Sequence, residues 1–163
     1  MNTKALVVID LQNDITKNYR GIIENVNAAI TRAQENGLTV IYIQHNNVTE
    51  GTRTFKPGTH GAEFVPELKI VSENVFVKTK SSALTSEEFA AFIRENKLNE
   101  FFIAGADATA CVKSTCFNLK KEGHAVHVLS DCVTSYDTGK IAGMLAYYES
   151  KGCVVEALAD CGF

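Results

Sequence analysis

The stretch Ala5-Leu-Val-Val-Ile9, which stops at Asp10, gives the first indication of the fold. An uninterrupted apolar run of this length is typical of a strand covered on both faces, as in a parallel sheet flanked by helices. The carboxylate of Asp10 is then expected at the carboxyl end of the strand. This stretch therefore predicts an α/β protein.

The rest of the chain continues an alternation of strands and helices. Further strands are predicted at residues 39–43, 75–77, 100–104, 125–129 and 153–157, and helices at residues 22–36, from 85 onwards, 109–122 and 138–151. Residues 45–66 are polar and rich in glycine, which predicts a long loop of the kind that often carries function. The pattern predicts one domain over residues 1–163, a Rossmann-like three-layer α/β/α sandwich around a six-stranded, mainly parallel sheet.

Composition and charge narrow the classes of protein. The chain has 163 residues, a net charge of −3 and a pI of about 5.8, which gives no electrostatic reason to expect nucleic acid or an anionic membrane as a partner. No apolar run approaches the roughly 20 residues of a membrane helix. The N-terminal Met1-Asn-Thr-Lys4 runs straight into the first strand, so we expect no signal peptide and a soluble, cytoplasmic protein.

The cysteines predict neither a disulfide framework nor a tetrahedral zinc site. Their number is odd, no CxxC or HxxxH pair occurs, and they lie at irregular positions: Cys111, Cys116, Cys132, Cys153 and Cys161. The default interpretation of each is a small buried side chain. Cys111 differs because it follows a turn of small residues and lies in the first turn of a predicted helix. Unpaired N–H groups and the helix dipole favour an anion there, which predicts a nucleophilic thiol of lowered pKa.

Ligands of parallel sheets bind beyond the carboxyl ends of the strands, which adds Asp10 and Lys78 to the candidates. Asp10 could accept a proton or orient a cation, but Asp10 or Asp14 could also merely cap a turn. A lysine at a strand end could hold a carboxylate or stabilise a thiolate. Position alone leaves open whether Lys78, Lys80 or neither has such a role.

Other catalytic arrangements have less support. A Cys–His pair would need His45, which follows the second strand, or His60 in the long loop, since His124 and His127 lie at or within the fifth strand. A phosphate-binding GxxxxGK[ST] loop and a dinucleotide-binding GxGxxG turn do not occur.

Five segments in order carry a resemblance over nearly the whole chain: Val8-Ile-Asp-Leu-Gln-Asn-Asp14; Pro57-Gly-Thr with Gly61-Ala-Glu and Pro66-Glu-Leu68; Val77-Lys-Thr-Lys-Ser-Ser-Ala83; Gly105 to Val112; and Thr115 with Ser130-Asp-Cys-Val-Thr-Ser135. Together they resemble the isochorismatase-like cysteine hydrolase family, which includes nicotinamidases, N-carbamoyl amide hydrolases and ureidoacrylate hydrolases.

The resemblance implies a catalytic triad of Asp10, Lys78 and Cys111, and so selects Lys78 over Lys80. It implies that Asp10 deprotonates Cys111, that Lys78 holds the ionised group, and that the thiolate attacks a small amide to give a thioester. It further implies a non-proline cis peptide between Ala106 and Asp107. The N–H groups of Asp107 and Cys111 would then bind the oxyanion.

Departures from the family pattern bear on the metal and the substrate. Nicotinamidases follow their second strand with a metal-binding Asp-x-His pair and a further histidine, whereas this chain has Gln44-His-Asn-Asn47. We therefore expect no metal and no cofactor, with His45 and His60 as the remaining candidates for a partial site. True isochorismatases lack the nucleophilic cysteine, so Cys111 argues against vinyl-ether hydrolysis.

The sequence thus predicts a metal-independent hydrolase of a non-peptide C–N bond in a small molecule, an amide or an N-carbamoyl compound. The alternative is a binding or redox-sensing protein that uses Cys111, with Cys116 as the nearest second cysteine. The resemblance also implies a homo-oligomer. Tyr147 and Tyr148 are expected to be exposed, and the short segment after Asp14 suggests an open pocket that a second subunit could cover.

Overall fold

The computed structural model describes residues 2–15 and 17–163, without the side chain of Lys17. Met1 and Thr16, which belong to the N-terminal stretch and to the short segment after Asp14 discussed above, lie outside the described residues. The strands are β1 (Lys4–Ile9), β2 (Thr39–His45), β3 (Val75–Lys78), β4 (Glu100–Ala106), β5 (Ala125–Thr134) and β6 (Val154–Glu156). The helices are α1 (Ile23–Glu35), α2 (Glu87–Glu95), α3 (Cys111–Lys121) and α4 (Ile141–Ser150).

The sheet has six strands in the order β3-β2-β1-β4-β5-β6, and every neighbouring pair is parallel. The chain runs outwards from β1 to β3 and then returns to the other side of β1 with β4. This reversal makes the gap beyond β1 and β4 the switch point at which ligand sites form in such sheets. The predicted α/β fold is confirmed, with a sheet that is entirely parallel.

Both faces of the sheet are covered, as the apolar run of β1 predicts. Leu6 and Val8 point into a core shared with α1, whereas Ala5, Val7 and Ile9 point into a second core. Residues of α2, α3 and α4 complete that second core. The three-layer arrangement follows from this alternation, because successive side chains of a strand point to opposite faces.

Several element boundaries differ from the predicted ones. Strand β5 extends to Thr134 instead of ending at residue 129, so that Cys132 lies inside the strand and not after it. The pairing of β5 with β4 shifts in register between Ile103 and Gly105, and the extra residues of β5 are absorbed there. The fourth helix is preceded by a separate 3-10 turn, Thr138–Lys140.

Gly105 allows β1 and β4 to approach closely beside the switch point. Its φ is +115°, and a Cβ atom built on it would lie 2.1 Å from the carbonyl oxygen of Ile9. Any other residue would push these two central strands apart or strain the backbone.

One expectation about the surface was wrong. Tyr148 is fully buried in the second core, and its hydroxyl donates a hydrogen bond to the carbonyl of Ala108. Tyr147, the preceding residue of α4, is exposed as expected. Among the helices of the described residues, none has the length and hydropathy required to cross a membrane.

Candidate active site

Asp10 is the first residue after β1, and its backbone turns sharply there. Its φ is +54°, in the left-handed region that aspartate tolerates better than most residues. The carboxylate is 3% exposed, and its Oδ2 lies 3.0 Å from Nζ of Lys78. Oδ1 is the one buried side-chain nitrogen or oxygen of the described residues without a hydrogen-bond partner. Such an atom can receive a proton without breaking an existing bond.

Lys78 ends β3, two strands away from β1, so its side chain has to pass the end of β2 to reach Asp10. The side chain is buried, and Nζ lies 3.0 Å from Oδ2 of Asp10, 2.8 Å from Nδ1 of His45 and 3.4 Å from Sγ of Cys111. Lys80 is exposed by contrast. Of the two lysines, it is thus Lys78 that lies beside Asp10 and Cys111.

Cys111 is the first residue of α3 and the one cysteine of the five that is not buried. Burial raises the pKa of its thiol to about 11; the charge of Asp10 adds to the rise and that of Lys78 opposes it. The expectation of a lowered pKa was therefore wrong, because burial and the carboxylate outweigh the helix start and the lysine. The thiol is protonated at neutral pH and needs a base before it can act as a nucleophile.

Asp10 is the base within reach of this thiol. One oxygen of Asp10, one ring nitrogen of His45 and Sγ of Cys111 all lie within 4.8 Å of one another. Burial raises the pKa of the Asp10 carboxyl, while the neighbouring Lys78 and Cys111 oppose the rise. A raised pKa makes the carboxylate a stronger proton acceptor, which it needs to be because the pKa of the Cys111 thiol is also raised.

The turn between β4 and α3 presents two free N–H groups. The peptide bond between Ala106 and Asp107 is cis, at the position that the resemblance implied. The carboxylate of Asp107 accepts hydrogen bonds from the N–H and hydroxyl of Thr109 and from the N–H of Tyr136, which fixes the turn. The N–H groups of Asp107 and Cys111 have no acceptor among the described residues. They are available to an oxyanion.

A cavity of about 280 Å³ opens in front of these groups, and its lining is mostly apolar. Its walls include Ile15, Thr54, Phe55 and Tyr136 in addition to Asp10 and Cys111. The long loop predicted at residues 45–66 thus contributes directly to the cavity. A small molecule with an apolar body fits such a space.

Asp14 holds this loop in place instead of capping a turn. Its Oδ2 accepts a hydrogen bond of 2.8 Å from the N–H of Phe55, whose φ is +54°. The carboxylate of Asp14 also fills the space next to Gly61, where a Cβ atom would lie 2.1 Å from Oδ2. The glycine that carries part of the resemblance is therefore required by the packing of Asp14.

Gln12, Phe55 and Tyr136 were not singled out by the sequence. Gln12 is fully buried; its Nε2 donates to the carbonyls of His45 and Ala62 at 2.8 and 2.7 Å, and its Oε1 accepts from the N–H of His45 at 2.8 Å. An amide three residues after a buried strand was the available signal for Gln12. Phe55 and Tyr136 lie in loops whose course depends on tertiary contacts.

The other cysteines and histidines have different surroundings. Cys116 is fully buried, and its thiol interacts with that of Cys153, which raises the pKa of Cys116. His127 lies between the carboxylates of Glu100 and Glu156 at 2.9 and 2.8 Å. Of the described histidines, His45 is the one that contacts the Asp10, Lys78 and Cys111 group.

Comparison with known proteins shows which protein family the chain belongs to. Residues 4–160 match the model of the isochorismatase domain. The chain therefore belongs to the isochorismatase-like hydrolase family. A relative, the uncharacterized isochorismatase family protein YddQ of Bacillus subtilis (strain 168), is 27% identical over 144 residues, which cover 82% of this chain and 79% of that protein.

Solved structures share the fold. An isochorismatase family protein from Desulfovibrio vulgaris has a TM-score of 0.90 at 21% identity, covering 98% of this chain and 96% of that one. The pyrazinamidase of Pyrococcus horikoshii, solved in complex with zinc, has a TM-score of 0.87 at 22% identity, covering 96% of this chain and all (100%) of that one.

The zinc of that pyrazinamidase raises the question of a metal in this chain. Asp10, His45 and Cys111 are the described residues whose ligand atoms cluster closely enough to bind one. The ammonium group of Lys78, however, lies 2.8 to 3.4 Å from all three, so a cation already fills the space between them. The donor set does not fit a metal. His60, the other candidate, is exposed and lies 3.5 Å from Glu63.

Proposed function

We propose that the protein hydrolyses the C–N bond of a small amide or N-carbamoyl compound, with Cys111 as nucleophile, Asp10 as general base and Lys78 as the cation that holds both. The observation that carries this proposal is the position of the lysine ammonium, 3.0 Å from Oδ2 of Asp10 and 3.4 Å from Sγ of Cys111. Membership of the isochorismatase-like hydrolase family supports it.

In the first half of the reaction, Asp10 takes the proton of the Cys111 thiol on its free Oδ1. The thiolate attacks the carbonyl carbon, and the N–H groups of Asp107 and Cys111 bind the developing oxyanion. The proton held by Asp10 passes to the leaving nitrogen as the C–N bond breaks. Ammonia or an amine departs and a thioester on Cys111 remains.

In the second half, water replaces the departed amine. Asp10, now ionised again, removes a proton from this water, which attacks the thioester carbonyl. The oxyanion returns to the same two N–H groups. Cleavage of the C–S bond releases the carboxylic or carbamic acid, and the proton on Asp10 returns to the thiolate, which restores the starting state.

The redox-sensing alternative has less support. A sensor cysteine usually needs a resolving thiol nearby, and Cys116 interacts with Cys153 in the core. The apolar cavity in front of Cys111 is instead suited to a small organic substrate.

A panel of small primary amides and N-carbamoyl compounds, assayed for ammonia release with and without EDTA, tests the proposal. We expect release from at least one class, unchanged by EDTA, because the Lys78 ammonium takes the space that a metal would need. Failure of the whole panel would contradict the proposed reaction. Activity that EDTA removes and Zn²⁺ or Mn²⁺ restores would contradict the metal-independent mechanism.

A further inference from the structure

His45 lies where the lysine of β3 has to cross the end of β2. Strands β3, β2 and β1 are consecutive in the sheet, and His45 pairs directly with Lys78 in register. The ends of these strands therefore carry Lys78, His45 and Asp10 side by side. The imidazole is the group that the lysine side chain meets on its way to Asp10, and its Nδ1 lies 2.8 Å from Nζ.

We infer that His45 is a positioning residue for the reaction, which as a neutral imidazole accepts a hydrogen bond from Lys78 and thereby holds the ammonium group between Asp10 and Cys111. This inference rests on the proposed function for its catalytic consequence. The contact itself stands independently of the substrate.

The number of donors on Lys78 and of acceptors around it determines the role of each group. A lysine ammonium has three N–H donors and no acceptor. Nζ of Lys78 has three acceptors around it: Oδ2 of Asp10, Sγ of Cys111 and Nδ1 of His45. Each donor is thus used once. Since Nδ1 has to accept, the proton of the neutral ring is on Nε2.

The surroundings keep His45 in this form. Burial, and after it the charge of Lys78, lower the pKa of His45 to about 4, although a hydrogen bond with the backbone of Lys80 opposes the fall. The charged or titratable groups that face the ring are Lys78, Asp10 and Cys111. The ring is therefore neutral at pH 7 and free to accept.

The position of His45 is itself determined by neighbouring groups. The side chain of Gln12 binds both the N–H and the carbonyl of His45 at 2.8 Å. The ring of Phe55 packs edge-on against the imidazole, with centroids 5.6 Å apart. These contacts hold the imidazole of His45 in place. If the ammonium group of Lys78 moved away from Asp10, it would therefore lose its buried hydrogen bond to Nδ1 of His45.

Activity of three histidine variants tests the inference. His45→Ala removes the acceptor, and His45→Asn retains one near the position of Nδ1. His60→Ala is the matched control, because His60 is exposed and outside the site. We expect kcat to fall about 10- to 100-fold in His45→Ala with a smaller change in KM, as for a lost hydrogen bond to a charged group. His45→Asn should recover most of this loss, and His60→Ala should match the wild type.

A measurement without substrate tests the contact separately. In ¹⁵N NMR of the histidine rings, His45 should appear as the Nε2–H tautomer and titrate near pH 4. In Lys78→Met, the midpoint should move up towards the ordinary histidine value of about 6.5, because a neighbouring positive charge is gone.

The outcomes separate this inference from the proposed function. If no amide is hydrolysed but His45 titrates as expected and responds to Lys78→Met, the contact stands and the reaction is wrong. An Nδ1–H tautomer, or a midpoint indifferent to Lys78→Met, would overturn the inference. Equal losses of kcat in His45→Ala and His45→Asn, or an active His45→Ala, would overturn it as well.

Discussion

Asp10 and Cys111 owe their proposed roles to the same physical cause. Burial disfavours the charged form of both and raises both pKa values, so that neither is an ordinary surface group. The ammonium group of Lys78 contacts both side chains and opposes the rise of both pKa values. In the proposed mechanism, the negative charge lies on the carboxylate at rest and passes to the sulfur of Cys111 when a substrate binds.

Asp10→Asn tests this division of roles. The amide cannot take the proton of the thiol, so we expect kcat/KM to fall by about 100-fold or more. In the wild type, activity should be lost as the pH falls through the raised pKa of Asp10, because the base is then protonated. The acid limb of the pH profile should lie above the ordinary aspartate value of about 4. An acid limb at or below that value, or an active Asp10→Asn, would contradict the assignment.

The grouping of Asp10, Lys78 and Cys111 could be predicted from the sequence through the resemblance to the family, whereas their surroundings could not. Position indicated the edge of the sheet, since Asp10 follows a strand, Lys78 ends one and Cys111 begins the helix after another, but it left the choice between Lys78 and Lys80 open. Their contacts depend on strand order, because Lys78 reaches Asp10 only by crossing β2. The raised pKa of Cys111 depends likewise on burial and on Asp10, which no local pattern of helix and turn contains.

Among the elements, the start of α3 and the end of β5 differ from their predicted positions. The helix was expected from residue 109 but begins at Cys111, because the carboxylate of Asp107 binds Thr109 in a turn that delays the first helical residue. Strand β5 was expected to end at residue 129, since polar residues follow. It continues to Thr134 because Asp131 finds a partner in the N–H of Leu158.

Gly105→Ala tests the close approach of β1 and β4. Its Cβ would meet the carbonyl of Ile9 at 2.1 Å with a φ of +115°, so we expect a loss of about 3 kcal/mol or more in the free energy of unfolding. Gly143→Ala is the control in α4, where a Cβ meets nothing within 4 Å. It should gain up to about 1 kcal/mol. Urea denaturation measures both, and equal stabilities would contradict the packing argument.

For the molecule as a whole, the sheet has two edge strands, β3 and β6, each paired on one side only. Val75 and Val77 of β3 are 37% and 44% exposed, and Val154 of β6 is 47% exposed. Tyr148 no longer supports an apolar surface on α4, because it is buried. The expected homo-oligomer therefore rests on these exposed edge strands and on the resemblance to the family.

Light scattering coupled to size exclusion tests this assembly. We expect a particle of at least twice the chain mass of 17.8 kDa at micromolar concentration, because exposed apolar strands at an edge favour association. Val75→Lys should shift the particle towards the monomer if β3 forms the contact. A wild-type particle of 17.8 kDa would contradict the oligomer.

Rapid-quench mass spectrometry tests the identity of the nucleophile most directly. It is carried out during turnover of an amide identified in the ammonia assay. The proposed function predicts a transient acyl adduct on the peptide that contains Cys111, and neither adduct nor turnover in Cys111→Ala. Turnover by Cys111→Ala, or an adduct on Cys116 or Cys153 in place of Cys111, would contradict it.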